Sequence, residues 1–178
     1  AVLGGGDTAM DCVRTAVRQQ AKSVTCIYRR DQENMPGSIR EIKHAMEEGV
    51  DFLFNTQPLK VEGNGSITSL QVCETKLGEP DATGRQRPEL IEGSEKAIEV
   101  DKLVIAFGYQ ADVPDFVLDK NVKISDTGLV ELNNNKFNYQ TSNPKYFAGG
   151  DMIIGSSLAV HAIAHGRDAA KEIIKFLG

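Results

Sequence analysis

The sequence predicts an α/β fold built on a parallel sheet, with helices on both faces and an inserted antiparallel meander. Apolar residues 1–3 run directly into the glycine cluster 4–6. Apolar positions then recur at helical spacing over residues 8–20, and residues 24–28 are typical of a buried strand. A strand, a glycine turn, a helix and a second strand in this order form a βαβ unit with parallel strands.

A second helix is predicted after Ser38, because Glu41 stands three residues later, at the spacing of a capping box. Gly49 is its expected end. Its apolar side is predicted to consist of Ile39, Ile42, Ala45 and Met46. Residues 51–54 match a third strand.

Beyond the third strand the pattern changes to that of an antiparallel meander. Asn64-Gly65 lies between two β-like runs and is a typical hairpin turn, and a polar segment covers residues 78–94. The continuous apolar run 103–107 then predicts a central parallel strand. The parallel sheet is therefore expected to close near Gly108.

The last part of the chain is predicted to be rich in turns before it ends in a helix. Residues 145–148 match a strand, and a long helix follows the next turn and reaches Phe176. We expect one domain over residues 1–108 and, over residues 109–178, a segment that belongs to a second domain.

The first glycine cluster carries the main functional signal. It matches G-x-G-x-x-A with Gly4, Gly5, Gly6, Asp7, Thr8 and Ala9. In this motif the first glycine makes the turn, the second lets the backbone approach a pyrophosphate, and the small third residue permits close helix packing. The N-terminus of the following helix supplies free N–H groups to an anion. A glycine turn without a ligand is the alternative, but the βαβ context favours dinucleotide binding.

The residues after the second strand predict NADPH rather than NADH. Position 29 lies twenty residues after Ala9, where an NAD-binding protein places Asp or Glu on the ribose hydroxyls. Arg29 and Arg30 stand there instead, and guanidinium groups bind a 2′-phosphate that a carboxylate would repel. The alternative is that both arginines merely end a strand in solvent.

Several segments carry a resemblance to a known family. Residues 4–12 are GGGDTAMDC, residues 28–31 are YRRD, and residues 33–38 are ENMPGS. They resemble the NADPH-binding part of the glutamate synthase small (beta) subunit family, which is similar to the NADPH half of dihydropyrimidine dehydrogenase. Residues 106–112 (AFGYQAD) and 141–151 (TSNPKYFAGGD) extend the resemblance over nearly the whole chain.

This resemblance implies a Rossmann-like domain and further site residues. Those that would line the nicotinamide end of NADPH are Ala106, Phe107 and Gly108. Those that would contact FAD are Gly150, Asp151, Ser157 and Leu158. Asp151 would bind the ribityl chain, and the helix start after it would face the flavin pyrimidine. A helix cap by Asp151 or Ser156 is the alternative.

The implied activity is hydride transfer from NADPH to FAD in the intact protein. Electrons would then pass through iron–sulfur clusters to the glutamate synthase large subunit or another acceptor protein. Hydride transfer needs stacked rings rather than an acid or base, so no catalytic residue is predicted. The alternative is the NADPH-binding electron-input module of another iron–sulfur flavoprotein, resembling dihydropyrimidine dehydrogenase or ferredoxin:NADP oxidoreductase and inactive alone.

The sequence departs from this family in one respect. Such a flavoprotein needs an earlier glycine fingerprint for the ADP part of FAD, together with a cysteine-rich cluster region, and neither stands in these 178 residues. We therefore expect the chain to begin inside a larger protein whose N-terminal region holds the clusters. The chain alone is expected to be inactive, and its apolar surface is expected to pair two chains in a homodimer or to exchange the C-terminal helix between them.

Composition excludes several other classes. The net charge of −5 and the pI of about 5.3 disfavour nucleic acid and anionic membranes as partners. The three cysteines have no C-x-x-C spacing, which favours reduced thiols and a cytoplasmic location. His161 and His165 share a helix face, but Ala162 stands where a zinc protease has glutamate, so no metal site is predicted.

Overall fold

The chain divides after Gly108 into unit 1 (Ala1–Gly108) and unit 2 (Tyr109–Gly178). The computed structural model describes residues 1–82, 84, 86–133 and 136–178. The strands of unit 1 are β1 (Val2–Leu3), β2 (Thr25–Ile27), β3 (Asp51–Leu53), β4 (Thr56–Gly63), β5 (Ile67–Pro80), β6 (Gln86–Leu90), β7 (Lys96–Glu99) and β8 (Val104–Ile105). Its helices are α1 (Asp7–Arg18) and α2 (Ile39–Glu47), and those of unit 2 are α3 (Asp115–Leu118), α4 (Asp151–Ile154) and α5 (Ala159–Leu177).

Unit 1 is built on a parallel sheet with the strand order β3-β2-β1-β8. Helices α1 and α2 pack together on one face of this sheet. Met10 and Val13 of α1 and Ile42 of α2 are buried there against Cys26 of β2. The predicted βαβ unit is confirmed, since β1 and β2 are parallel neighbours joined by α1.

An antiparallel sheet covers the other face of the parallel sheet. Strands β4, β6 and β7 each pair with β5, and the predicted hairpin at Asn64-Gly65 joins β4 to β5. Leu70 and Val72 of β5 are buried against Leu3 and Ile27. The predicted α/β class with a meander is confirmed. On this face, however, alternating apolar residues of β5 take the place of the expected second helix layer.

The strand predicted as central, residues 103–107, lies at the edge of the parallel sheet. Only β8 forms there, and it pairs with β1 alone among the described strands. Val104 and Ile105 are 41% and 67% exposed. The prediction of a central position is wrong because an apolar run marks burial tendency, whereas the strand order depends on how distant segments pair.

Helix α2 begins and ends as predicted, but its capping box does not form. Ser38 is the N-cap residue without a side-chain cap hydrogen bond. The carboxylate of Glu41 instead binds the guanidinium of Arg14 on α1, because a charge-assisted bond is stronger than one to a neutral backbone N–H. Ile39, predicted on the apolar side, is 86% exposed.

Unit 2 contains less regular structure than predicted. Its core consists of Val117, Val122 and Val130. Residues 145–148 do not form a strand, since only Phe147 makes a bridge, to Gln140. The predicted final helix is divided into α4 and α5, because Gly155 follows α4 with a φ of +82°. In the described part of the chain, no helix has the length and apolar character that crossing a membrane requires.

An ion-pair cluster ties α1 to α2. Glu48 accepts hydrogen bonds from Arg14 Nε at 2.9 Å and Arg18 Nη2 at 2.8 Å. The hydrogen bonds from Arg18 and Arg14 hold the pKa of Glu48 below its ordinary value of 4.5. A lowered pKa in the folded state means that the contribution to stability is present above pH 4.5 and is lost as the pH falls through the folded pKa.

We therefore expect Glu48→Gln to lower the urea midpoint at neutral pH. The difference in urea midpoint between this variant and the unsubstituted protein is expected to shrink at about pH 3, because protonation of Glu48 then removes the same negative charge. Unfolding curves at both pH values measure it. The matched control is Glu47→Gln, whose partner Lys43 is an exposed neighbour 3.7 Å away. Equal midpoints for Glu48→Gln and the control at neutral pH would contradict the expectation.

Candidate functional site

The predicted site residues of unit 1 follow three neighbouring parallel strands. The glycine turn follows β1, Arg29 and Arg30 follow β2, and residues 106–108 follow β8. Since the strands are parallel, their carboxyl ends meet at one edge of the sheet. In open α/β sheets, ligands bind outside this edge.

The glycine turn is packed between β2 and β8. The N–H of Gly4 donates to Ile27 O at 3.1 Å, and Gly4 has a φ of +143°. A Cβ atom on Gly4 would lie 2.2 Å from Ala106 O, and one on Gly5 would lie 2.6 Å from the ring of Tyr28. No larger residue fits at either position without movement of its neighbours, so both glycines are required by packing.

The start of α1 leaves backbone donors free. Gly6 is the N-cap residue, and its carbonyl accepts the N–H groups of Ala9 and Met10. In the described part of the chain, four N–H groups here find no acceptor: those of Gly5, Gly6, Asp7 and Thr8. Together with the positive end of the helix dipole, they can bind an anion.

The carboxylate of Asp7 does not point to such an anion. It accepts the N–H of Ser38 at 2.7 Å, while the N–H of Gly37 donates to Gly5 O at 3.0 Å. The loop that precedes α2 is thereby held against the glycine turn. Asp7 can contribute its backbone N–H to an anion, whereas its side chain positions the loop.

Tyr28 connects the glycine turn with the arginines. Its ring lies against Gly5, and its hydroxyl accepts Arg30 Nε at 3.0 Å and donates to Asn34 O at 2.7 Å. The Arg30 guanidinium carbon also lies 5.7 Å from the centroid of the Tyr28 ring, within cation–π range. Arg30 is thus fixed in place, whereas Arg29 is exposed.

Both arginines line one cavity of about 400 Å³. The lining residues are Arg29, Arg30, Gln57, Asp81, Gln86, Arg87 and Pro88. They carry three guanidinium groups and one carboxylate, so the described lining is net positive. Arg87 of β6 and Gln57 of β4 were not found from the sequence, because no motif spacing relates a residue of the meander to the end of β2.

Cys26 is a structural residue beneath the glycine turn. Its thiol donates to Gly4 O at 3.3 Å, and burial raises the pKa of this thiol to about 12. A thiol with such a pKa stays protonated at neutral pH and is a poor nucleophile. This agrees with the prediction of reduced thiols for the three cysteines.

In unit 2, Asp151 lines a cavity of about 730 Å³ together with Gly155 and Ser156. Among the predicted flavin contacts, Asp151 alone is in this lining; Ser157 and Leu158 follow it in the chain. Asp151 is exposed, and its carboxylate can accept hydrogen bonds from ligand hydroxyls.

The two histidines of α5 have structural partners within unit 2. His165 Nδ1 accepts the N–H of Gly150 at 3.1 Å, and His161 Nδ1 lies 2.7 Å from Ser157 Oγ. Gly150 has a φ of +69° in the turn before Asp151. Within the described ranges, no cluster of His, Cys, Asp and Glu could hold a metal ion.

The family model described as pyridine nucleotide-disulphide oxidoreductase matches residues 1–166. The chain belongs to this family. The glutamate synthase (NADPH) small chain of Escherichia coli (strain K12) is 53% identical over 181 residues. That of Halomonas elongata is 51% identical over 177 residues. Each comparison covers 99% of this chain and 38% of the relative's length.

The predicted resemblance to glutamate synthase small subunits is therefore confirmed. The chain spans 38% of the length of these curated relatives. Among solved structures, Mycobacterium tuberculosis FprA in complex with NADPH is similar with a TM-score of 0.75 and 14% identity. The likeness covers 99% of this chain and 52% of that one. At this identity it supports the fold alone.

Proposed function

We propose that residues 1–108 form an NADPH-binding domain of a flavin-dependent oxidoreductase. One observation carries this proposal: an arginine-lined cavity is joined through Tyr28 to a glycine turn with free N–H groups. A dinucleotide with a 2′-phosphate has two anionic groups, and each suits one of these features: the 2′-phosphate suits the arginine-lined cavity and the pyrophosphate suits the glycine turn. Its pyrophosphate would accept the N–H groups of Gly5, Gly6, Asp7 and Thr8.

The arginines select the nucleotide. The 2′-phosphate of NADPH would bind Arg29 and Arg30, because guanidinium groups form charge-assisted hydrogen bonds with a dianion. The ribose hydroxyl of NADH carries no charge and does not need these donors. The backbone of Ala106, Phe107 and Gly108, at the end of β8, would line the nicotinamide side. Ala106 is well placed for this role, since its N–H donates to Leu3 O at 2.8 Å and holds the segment beside the glycine turn.

Residues 109–178 form, in this proposal, the C-terminal segment of an FAD-binding domain. The donor set fits part of the cofactor, because Asp151 presents an exposed carboxylate to a cavity and can accept ribityl hydroxyls. Gly150, Ser157 and Leu158 would line the adjoining part of the flavin. When bound, FAD supplies a ring that accepts hydride from NADPH. The residues of this chain bind and orient, and none of them is assigned a proton-transfer role.

The whole protein would act as a glutamate synthase-type oxidoreductase in the cytoplasm. The identity of 53% to a glutamate synthase small chain supports this activity. Iron–sulfur clusters outside these residues would carry the electrons to a large-subunit partner.

The proposal is tested by the variant Arg29→Ala/Arg30→Ala. We expect NADPH binding to weaken by roughly 10- to 100-fold, because each lost charge-assisted hydrogen bond contributes about 1.5–3 kcal/mol before solvent screening. NADH binding is expected to remain unchanged, since NADH lacks the 2′-phosphate. Calorimetric titration at fixed salt measures both.

The matched control is Arg40→Ala/Lys43→Ala, which removes the same charge from exposed positions of α2. It is expected to leave both affinities unchanged. Equal affinity of the unsubstituted protein for NADPH and NADH would refute the proposal.

A further inference from the structure

We propose that Arg87, on β6 of the antiparallel sheet, is a third specificity-determining residue for the 2′-phosphate of NADPH. This inference rests on the proposed function and adds a residue from a second sheet to the same site. Arg87 lines the cavity together with Arg29 and Arg30, although it comes from a different part of unit 1.

A β-bulge lies opposite Arg87. Leu77 pairs with Pro88 and Pro80 pairs with Gln86, so β5 contains one residue more than β6 between these pairs. Arg87 stands at the position on β6 that faces the bulge. Bulges bend a strand and redirect side chains, and they are frequent beside functional sites.

Gly78 of β5 lies in this bulge, close to the backbone of Arg87. A Cβ atom on Gly78 would lie 2.7 Å from Glu89 Oε1 and 3.2 Å from Arg87 O. The Glu89 side chain can move away, whereas the Arg87 carbonyl belongs to the backbone. A side chain at position 78 would therefore press on the Arg87 backbone, and a small shift of β6 would have to relieve this contact.

The antiparallel sheet is fastened to the end of β2. Thr75 Oγ1 donates to Arg29 O at 2.9 Å, and the Thr75 N–H donates to Asn55 O at 2.7 Å. The Asn55 N–H in turn donates to Arg30 O at 2.9 Å. Thr75 is 4% exposed and pairs with Leu90 of β6. These bonds hold β6, and with it the backbone of Arg87, in place relative to the two arginines that follow β2.

Arg87 is also available for a ligand. Other cations of the sheet are paired: Lys76 lies 3.5 Å from Glu89, and Lys96 lies 3.0 Å from Glu74. Within the described residues, the guanidinium of Arg87 has no ion pair or hydrogen bond. A phosphate dianion has three oxygens, which suits guanidinium groups that approach from two sheets.

The test compares Arg87→Ala and Arg87→Lys with the unsubstituted protein. We expect Arg87→Ala to weaken binding of NADP⁺ and of 2′,5′-ADP by about tenfold, since bonds to a charged group contribute modestly at an exposed position. NAD⁺ binding is expected to change by less than about twofold. Arg87→Lys is expected to restore part of the affinity, because it keeps the charge but loses the planar fork of donors.

The control is Lys60→Ala on β4, which removes an exposed cation of the same sheet that is absent from the cavity lining. Calorimetric titrations at two salt concentrations add an independent readout, because losing a phosphate contact reduces the salt dependence of binding.

Two results would overturn the inference. Unchanged NADP⁺ affinity in Arg87→Ala, with a loss in Arg29→Ala/Arg30→Ala, would remove Arg87 from the site and leave the proposed function intact. An equal loss for NADP⁺ and NAD⁺ would mean that Arg87 acts on another part of the nucleotide or on the sheet. If Arg29→Ala/Arg30→Ala also binds NADP⁺ normally, the proposed function itself fails.

Discussion

Replacing Gly4 with alanine is expected to destabilise the protein by roughly 2–5 kcal/mol, the combined cost of backbone strain and overpacking. Gly4 has a φ of +143°, a conformation that residues with a Cβ atom rarely adopt. The new Cβ would also lie 2.2 Å from Ala106 O, a backbone atom of the segment after β8. This steric clash can be relieved only if β1 and β8 move apart, and that movement disturbs the parallel sheet.

The matched control for this prediction is Gly6→Ala. Gly6 has a φ of −89°, and the nearest atom to an added Cβ is Pro36 Cγ at 4.0 Å. We expect it to lose less than about 1 kcal/mol, the cost of a poorer N-cap residue. Urea unfolding followed by circular dichroism measures both variants. Equal midpoints for Gly4→Ala and Gly6→Ala would show that the turn accommodates a side chain at position 4.

Replacing Gly6 with valine is expected to weaken NADPH and NADH binding together, by on the order of 100-fold. The pyrophosphate is common to both nucleotides, and it must approach the free N–H groups at the start of α1. A branched side chain at Gly6 would occupy part of that space. The expected loss is unselective, in contrast to the selective loss expected for the arginine variants.

Titration of Gly6→Val with both nucleotides measures this effect. Circular dichroism and an unfolding curve establish that the variant is folded, as the open space around Gly6 leads us to expect. Full affinity for both nucleotides in the folded variant would mean that the pyrophosphate does not bind at this turn. A loss for NADPH alone would place the 2′-phosphate, rather than the pyrophosphate, beside Gly6.

Local patterns in the sequence were sufficient for the first βαβ unit, the hairpin at Asn64-Gly65 and the end of α2 at Gly49. Each depends on neighbouring residues: helical periodicity, a turn that needs positive φ, or a glycine that ends a helix. Gly65 and Gly49 indeed have φ values of +78° and +90°. Such features can be predicted because their physical causes lie within a few residues.

Predictions that depended on distant partners were less accurate. Glu41 matched a capping box, yet Arg14 of another helix binds its carboxylate. Residues 145–148 had the composition of a strand, but regular pairing requires a neighbouring strand, and only Phe147 makes a bridge. For Glu41 a tertiary contact replaced the local preference, whereas residues 145–148 lacked the partner strand that their preference requires.

The sequence by itself determined the α/β class, the glycine turn and the two arginines after β2, because a strand-turn-helix motif places these residues through its own local geometry. Only the tertiary structure decided that β8 is an edge strand, that Tyr28 holds Arg30, and that Arg87 lines the same cavity. These features depend on how the antiparallel sheet docks through Thr75 on the end of β2. Contacts between segments far apart in the chain leave no periodic signal, so they appear only once the chain is folded.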